Sequence, residues 1–291
     1  MPTKEEFAEM AIEKLKNDTR VPVLDIELTD TKPSIFESKV GGLPYLPKDM
    51  EVPLDEDGKQ MKLLAQINCK DLEPLEEYPH YGILQFWLTT EWSWEDYDVR
   101  YYRKIDETLT ENDVIPRMAE FVEGETGTFP VDGEYGMEFI LSEETMGFYD
   151  ERVEALFCQY YSEISGKILY DPEDDGDEIY KAFDNYRCDV YNTGTKIGGY
   201  PSRTQLVDYL KYRPENYDKS LRWSKYENYV THIDMQSDDE DFVLFQLDSD
   251  YNNSEDYKVL WYDAGIGHFK ISRKDLKAGN LENVSFYWDC S

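Results

Sequence analysis

Histidine is nearly absent from this chain, and so is the cysteine spacing that could compensate for it. Only His80, His232 and His268 occur in 291 residues, and Cys69, Cys158, Cys188 and Cys290 stand far apart with no C-x-x-C pair. Zinc sites draw on Cys and His at short spacings, so none can be assembled here. The cysteines read instead as reduced thiols that fill small apolar spaces. Long apolar runs are missing too. No stretch of about 18 residues could span a bilayer, and Met1-Pro2-Thr3-Lys4-Glu5-Glu6 lacks the apolar segment of a signal peptide, so cytoplasmic residence is the expectation. Basic charge is outnumbered: 30 Lys and Arg face 63 Asp and Glu, for a formal charge of -33. Each phosphate or anionic headgroup would add repulsion where nucleic-acid binders release counterions from basic patches, which argues against nucleic acid and membrane as partners.

What is present separates the chain from acidic disordered sequences. Apolar residues make up 40% and aromatics 15%, enough to bury a core, so a folded protein with a strongly negative surface is expected. Its internal repetition is plain. Lys39-Val40-Gly41-Gly42-Leu43-Pro44 returns as Lys196-Ile197-Gly198-Gly199-Tyr200-Pro201. Leu64-Ala65-Gln66-Ile67-Asn68 and Gly82-Ile83-Leu84-Gln85-Phe86 follow the first copy. Leu244-Phe245-Gln246-Leu247-Asp248 and Gly265-Ile266-Gly267-His268-Phe269 follow the second in the same order. Such repetition bears on the whole fold. The expectation is an α+β protein with a β-rich core of two duplicated units related by a pseudo-twofold axis, preceded by an N-terminal amphipathic helix.

Thr3 and Glu6 fit a capping box, and Phe7, Met10, Ala11, Lys14 and Leu15 give one stripe of a helix ending near Asn17. Val21 to Leu28, Lys62 to Asn68 and Gly82 to Thr89 read as strands, and short strands are expected after Asp132-Gly133. Glu143 to Ser165 reads as a helix, Asp171 to Glu178 as a solvated acidic connection, and Thr204 to Tyr212 as a short helix. Phe242–Leu247, Lys258–Tyr262, Ile266–Ile271 and Val284–Trp288 read as further strands, with Asp263-Ala264-Gly265 as a hairpin turn. The division expected is 1–170 for the helix and first repeat and 171–291 for the second, with one compact domain as the alternative.

Read together, Ser38 to Pro47 and the two glutamine strands resemble the YwqG-like family of uncharacterised bacterial proteins, over about Ser38 to Asp275. The resemblance implies an α+β protein with a duplicated β-rich core. It brings no activity and no catalytic residues.

Several motifs invite chemistry. Gly41-Gly42 and Gly198-Gly199 lack the Lys-Ser/Thr or third glycine of a phosphate or dinucleotide loop, so tight turns that let two layers approach are favoured, with Pro44 and Pro201 stiffening them. Gln66 and Gln246 are amides inside apolar strands and must find hydrogen-bond partners, either by pinning a nearby loop or by facing a common cleft. Asp171 and Asp248 each open a calcium-like loop, but Ala182 and Val259 stand where a bidentate Glu is required. No G-x-S-x-G elbow accompanies His268. Neither a catalytic residue nor a metal or other cofactor is expected.

Two functions remain. The first is a cytoplasmic binding protein that presents an acidic, aromatic surface around Trp92 and Trp94 to a basic protein, an immunity or antitoxin-like inhibitor being the concrete version. The second is a small-molecule-binding or enzymatic module with a cleft between the repeats. That cleft would be lined by the glycine–proline loops, Gln66, Gln205 and Gln246, with Arg203 as an anion anchor. Nothing in the sequence bears on the oligomeric state.

Overall fold

A computed structural model describes residues 2–91, 94–119, 129–150, 152–169, 171–173, 176–204, 241–250 and 257–290. Among them are α1 (Lys4–Asp18), α2 (Glu111–Val114), α3 (Val153–Ser165), α4 (Asp177–Cys188) and α5 (Arg273–Ala278). The strands are β1 (Val21–Thr29), β2 (Lys39–Gly41), β3 (Lys62–Asn68), β4 (Ile83–Leu88) and β5 (Tyr97–Tyr102), then β6 (Glu134–Glu144), β7 (Lys196–Gly198), β8 (Asp241–Asp248), β9 (Ile266–Ser272) and β10 (Ser285–Asp289). The chain divides into two compact units. One holds the described residues within Met1–Pro22, Glu143–Thr193 and Gly199–Glu240, the other those within Val23–Ser142, Gly194–Gly198 and Asp241–Ser291. This is not a cut at residue 170. Strands from both ends of the chain share one sheet, because ladder hydrogen bonds join strands regardless of their distance in sequence.

The first unit is helical. The Thr3 hydroxyl accepts the Glu6 N–H at 3.1 Å, and the Glu6 carboxylate accepts the Thr3 N–H at 2.7 Å, which satisfies two donors that a helix start leaves open. Ala8, Ala11, Ile12 and Leu15 form the buried stripe of α1, while Met10 stands half exposed, so the helix packs on a face turned slightly from the one its pattern suggests. That stripe meets α3 and α4, where Phe157 stacks on Phe183 at 4.5 Å. α3 starts at Val153, ten residues later than its pattern predicts, because β6 runs on to Glu144. The acidic connection is shorter than expected and gives way at Asp177 to α4, whose Ile179, Phe183 and Tyr186 are buried at helical spacing.

The second unit is a ten-stranded antiparallel sheet in the order β10-β9-β8-β7-β1-β6-β2-β3-β4-β5. Outward from the β1–β6 pair, the order reads 7-8-9-10 on one side and 2-3-4-5 on the other. The two Lys-x-Gly strands thus occupy like places, as do the two glutamine strands. β3 carries a register shift between Leu63 and Ala65, and β8 one between Val243 and Phe245, each just before its glutamine. The sheet curls into a nearly closed, barrel-like form whose interior is apolar: Phe86 of β4 stacks on Phe245 of β8 at 4.9 Å and meets Phe269 of β9 at 4.7 Å. The opposite face of β3 and β4 is also buried, with Leu63, Ile83 and Trp87 packing beneath Tyr45, Leu46, Val52, Leu109 and Val114. Tyr78 Oη donates to the Val243 carbonyl at 2.7 Å, which secures the irregular stretch of β8.

β6 is longer than the short strands its glycine and acids suggested. Lys258–Tyr262 forms no strand of its own; Val259 makes a single bridge to Val131, and Tyr262 and Ala264 take left-handed φ of 49° and 55°. The helix expected over Thr204 to Tyr212 lies outside the described residues apart from Thr204.

Candidate functional site

Gly41 and Gly42 adopt φ of 67° and 74°, a region that favours glycine. A Cβ on Gly41 would lie 2.3 Å from the Gly133 carbonyl oxygen, and one on Gly42 would lie 2.4 Å from the Glu134 side chain. The missing methyls admit that carboxylate to the turn. Glu134 Oε1 accepts the Lys39 ammonium at 2.8 Å and the Leu43 N–H at 3.4 Å, and Lys39 Nζ also donates to the Leu43 carbonyl at 2.9 Å. Burial pushes the Lys39 ammonium below the usual lysine range, and the hydrogen bond and charge of Glu134 oppose it. Pro44 continues this turn and leads into Tyr45, which lies over the sheet. Gly198 and Gly199 repeat the left-handed pair at 83° and 69°. Beyond them the Tyr200 N–H donates to Glu144 Oε2 at 2.8 Å, and Pro201 is half-buried.

The lysines begin two polar rows across the sheet. Lys39, Gln66, Gln85 and Arg100 stand directly opposite one another on β2, β3, β4 and β5. Lys196, Gln246, His268 and Tyr287 do so on β7, β8, β9 and β10. Directly paired residues share a face, and alternation along each strand puts both rows on the face away from Phe86 and Phe245.

In the first row Gln66 is saturated. Its oxygen accepts the Tyr45 N–H and Gln85 Nε2, both at 2.8 Å, and its nitrogen donates to the Ile35 carbonyl at 2.9 Å and the Glu37 carbonyl at 3.0 Å. Gln85 adds a bond to the Tyr45 carbonyl and accepts from Trp87 Nε1 at 3.1 Å, and Arg100 reaches the Glu51 carbonyl at 2.6 Å. The row fastens the segment from Ile35 to Glu51 over the sheet.

Matching bonds recur in the second row. Gln66 donates to the Glu37 carbonyl and Gln246 to the Gly194 carbonyl at 2.9 Å; the Asn68 N–H donates to the Ser38 hydroxyl and the Asp248 N–H to the Thr195 hydroxyl. Ionisable groups replace amides there: His268 stands where the first row has Gln85, and Asp248 where it has Asn68. Burial raises the Asp248 carboxyl above its ordinary range, against the N–H groups of Gly194 and Ser249. The two glutamines do not meet. Each lies beneath its own preceding segment, so a cleft lined by both is not formed. Arg203 is half-buried and already engaged in contacts, and Gln205 lies outside the described residues.

Trp92 also lies outside them. Trp94 is described and is not a surface residue: it is buried against Trp261 at 5.2 Å and Trp288 at 4.6 Å. What remains open to solvent nearby is the seam where the sheet fails to close. Tyr97 Oη donates to the Val284 carbonyl at 2.9 Å, and Arg103 Nη2 donates to the carbonyls of Ala278 and Gly279, both at 3.2 Å. Between these ties lies a groove of about 570 Å³ lined by Tyr97, Asp98, Tyr101, Arg103, Gly279 and Glu282 among others. That volume falls among those of ligand clefts. The sequence pointed to an aromatic, acidic segment around Trp92 and Trp94 but offered no means to find Glu282 beside Tyr97 and Tyr101.

All four cysteines are free; burial lifts the Cys69 thiol to about 12 and Cys158 well above the ordinary thiol range. His80 Nε2 is bound to the Leu75 carbonyl at 3.1 Å. Among the described residues no three His, Cys, Asp or Glu side chains group to hold a metal ion, and no helix is long and apolar enough to cross a membrane. No curated protein matches the sequence. A family model, described as a domain of unknown function (DUF1963), matches residues 38–290. That span takes in both polar rows, both edge strands and the seam between them, and the chain belongs to the DUF1963 family.

Proposed function

We propose that the protein is a cytoplasmic binding protein whose seam groove contacts a basic protein, in the manner of an inhibitor that neutralises a cationic partner. The observation that carries this reading is the groove itself. It sets two tyrosines, Tyr97 and Tyr101, beside the exposed Glu282, while its one arginine, Arg103, is committed to the chain's own carbonyls. The formal charge of -33 would steer a basic partner toward it. The reading also takes the sheet as an ancestral half doubled about a pseudo-twofold axis, which the palindromic strand order, the matched bulges and the matched hydrogen bonds support. The alternative of a small-molecule or enzymatic module finds its best support in the second row, where His268, Lys196 and Asp248 are ionisable. The separation of Gln66 from Gln246 counts against a shared cleft.

The test measures binding to polyarginine and polylysine across a salt series. Reversing the groove charge in Glu282→Lys should weaken binding about fivefold, and Glu9→Lys on α1 much less. Equal losses in the two variants would mean that only bulk charge is at work and would refute the assignment to the groove.

A further inference from the structure

We infer that the groove takes an extended segment of the basic partner as an added strand on β5, a step that rests on the reading above that the groove contacts a protein. Among the described residues β5 ends the sheet and pairs with β4 alone. In an antiparallel pair, residues that turn both N–H and C=O toward the neighbouring strand alternate with residues that turn both away. The Thr89 N–H donates to the Asp96 carbonyl at 2.9 Å, and β4 and β5 keep that register with no shift. Asp98, Arg100 and Tyr102 therefore bond β4, while Tyr97, Val99 and Tyr101 present their main-chain N–H and C=O groups to the seam. None of these groups is bonded by another described residue.

Sheet edges are commonly shielded against pairing by a lysine, a proline, a bulge or a covering loop. β5 has none of the first three. Tyr97-Asp98-Val99-Arg100-Tyr101-Tyr102 is rich in aromatic and β-branched residues that favour strands, and Asp98 and Arg100 pair with each other at 2.7 Å on the face turned away from the core. The loop after α5 does not cover the edge either, because the groove of about 570 Å³ lies between them. Its ends are set by the bonds of Tyr97 to the Val284 carbonyl and of Arg103 to the carbonyls of Ala278 and Gly279. At about 3.3 Å per residue these ties stand about 20 Å apart along β5, room for about five extended residues. A strand added there binds through its main chain, and its alternate side chains meet the groove walls, where Glu282 is exposed. The formal charge of -33 draws a basic segment to this edge and repels a second copy of the chain.

The experiment is amide hydrogen exchange followed by NMR at low salt. Its probes are two nine-residue peptides of alternating lysine and valine, one of them N-methylated at every residue, and polylysine. At saturation the unmethylated peptide should slow exchange of the Val99 and Tyr101 amides at least about tenfold, leave that of Arg100 nearly unchanged, and bind at least about tenfold more tightly than its methylated twin. Val99→Pro removes an N–H that bonds no strand and should weaken the unmethylated peptide; the comparison of the two peptides on the unaltered chain holds whether or not that variant folds. Equal affinity of the two peptides, or no added protection at Val99 and Tyr101, would overturn strand addition, and the groove reading would still stand if Glu282→Lys weakened polylysine binding. Protection of those amides that grew with protein concentration in the absence of peptide would overturn the basic-partner assignment in favour of a second copy. Failure of polylysine and both peptides to bind would overturn both readings.

Discussion

Gln66→Leu removes the amide that holds the covering segment to the sheet and replaces it with a side chain of similar size. The loss is one of partners rather than volume. Tyr45 N–H, the Ile35 carbonyl and the Glu37 carbonyl each lose a hydrogen bond, while Gln85 Nε2 keeps its bond to the Tyr45 carbonyl. A buried polar group left unsatisfied costs about 1–3 kcal/mol, and carbonyls fall toward the low end because a second lone pair can find a donor. Three groups therefore cost about 3–6 kcal/mol, and the added apolar burial of leucine offsets about 1–2 kcal/mol. The net is about 3 kcal/mol, a large part of a typical folding stability and equivalent to a fall in Tm of roughly 6–12 °C for a protein of this size. Urea unfolding followed by tryptophan fluorescence measures the total. Hydrogen exchange at the Tyr45 amide measures the local part, and it should speed up more than exchange at Leu15 in α1. A loss below about 1 kcal/mol with unchanged protection at Tyr45 would refute the view that Gln66 is a structural fastener.

Gly42→Ala should cost about 3 kcal/mol, the sum of left-handed strain and partial displacement of Glu134 from the buried Lys39 ammonium; Lys39→Met/Gly42→Ala should then lose less than the two single changes added together, and additive losses in chemical denaturation would disprove the coupling. Cys69 has its folded-state pKa raised by burial, so its contribution is whole below the ordinary thiol value and disappears as pH climbs from about 9 toward 12. Cys69→Ala should therefore flatten the loss of stability across that window, and at pH 8 an alkylating reagent should label Cys188 and Cys290 before Cys69 and Cys158. Mass spectrometry of the labelled peptides checks the order, and equal labelling of all four would contradict it.

Local pattern explains why some elements were legible and others were not. α1 announced itself through Thr3 and Glu6, because a capping box is a contact between neighbours in sequence. β3, β4, β8 and β9 each carry a short run rich in apolar residues, which stood out against the acidic background. β6 reads only as short strands because Glu134, Gly136, Glu138 and Glu143 interrupt its apolar residues, although it runs unbroken at the centre of the sheet beside β1. α4 was hidden by the acids that precede it, even though Ile179, Phe183 and Tyr186 carry a helical spacing. Trp94 sits among acids and reads as surface; its burial depends on Trp261 and Trp288, more than 160 residues away.

The sequence alone determined what neighbouring residues decide: the capped first helix, the two left-handed glycine turns, the glutamines that must be bonded wherever they are buried, and a charge that repels anionic partners. Only the tertiary structure decided which strands lie side by side, that the two glutamines face away from the shared core, and that Tyr97 and Asp98 share a groove with Glu282. The reason is physical. Capping, turn strain and polar satisfaction act over a few bonds, whereas the seam exists because a sheet drawn from both ends of the chain curls until its edges meet, and no short stretch of residues encodes that meeting.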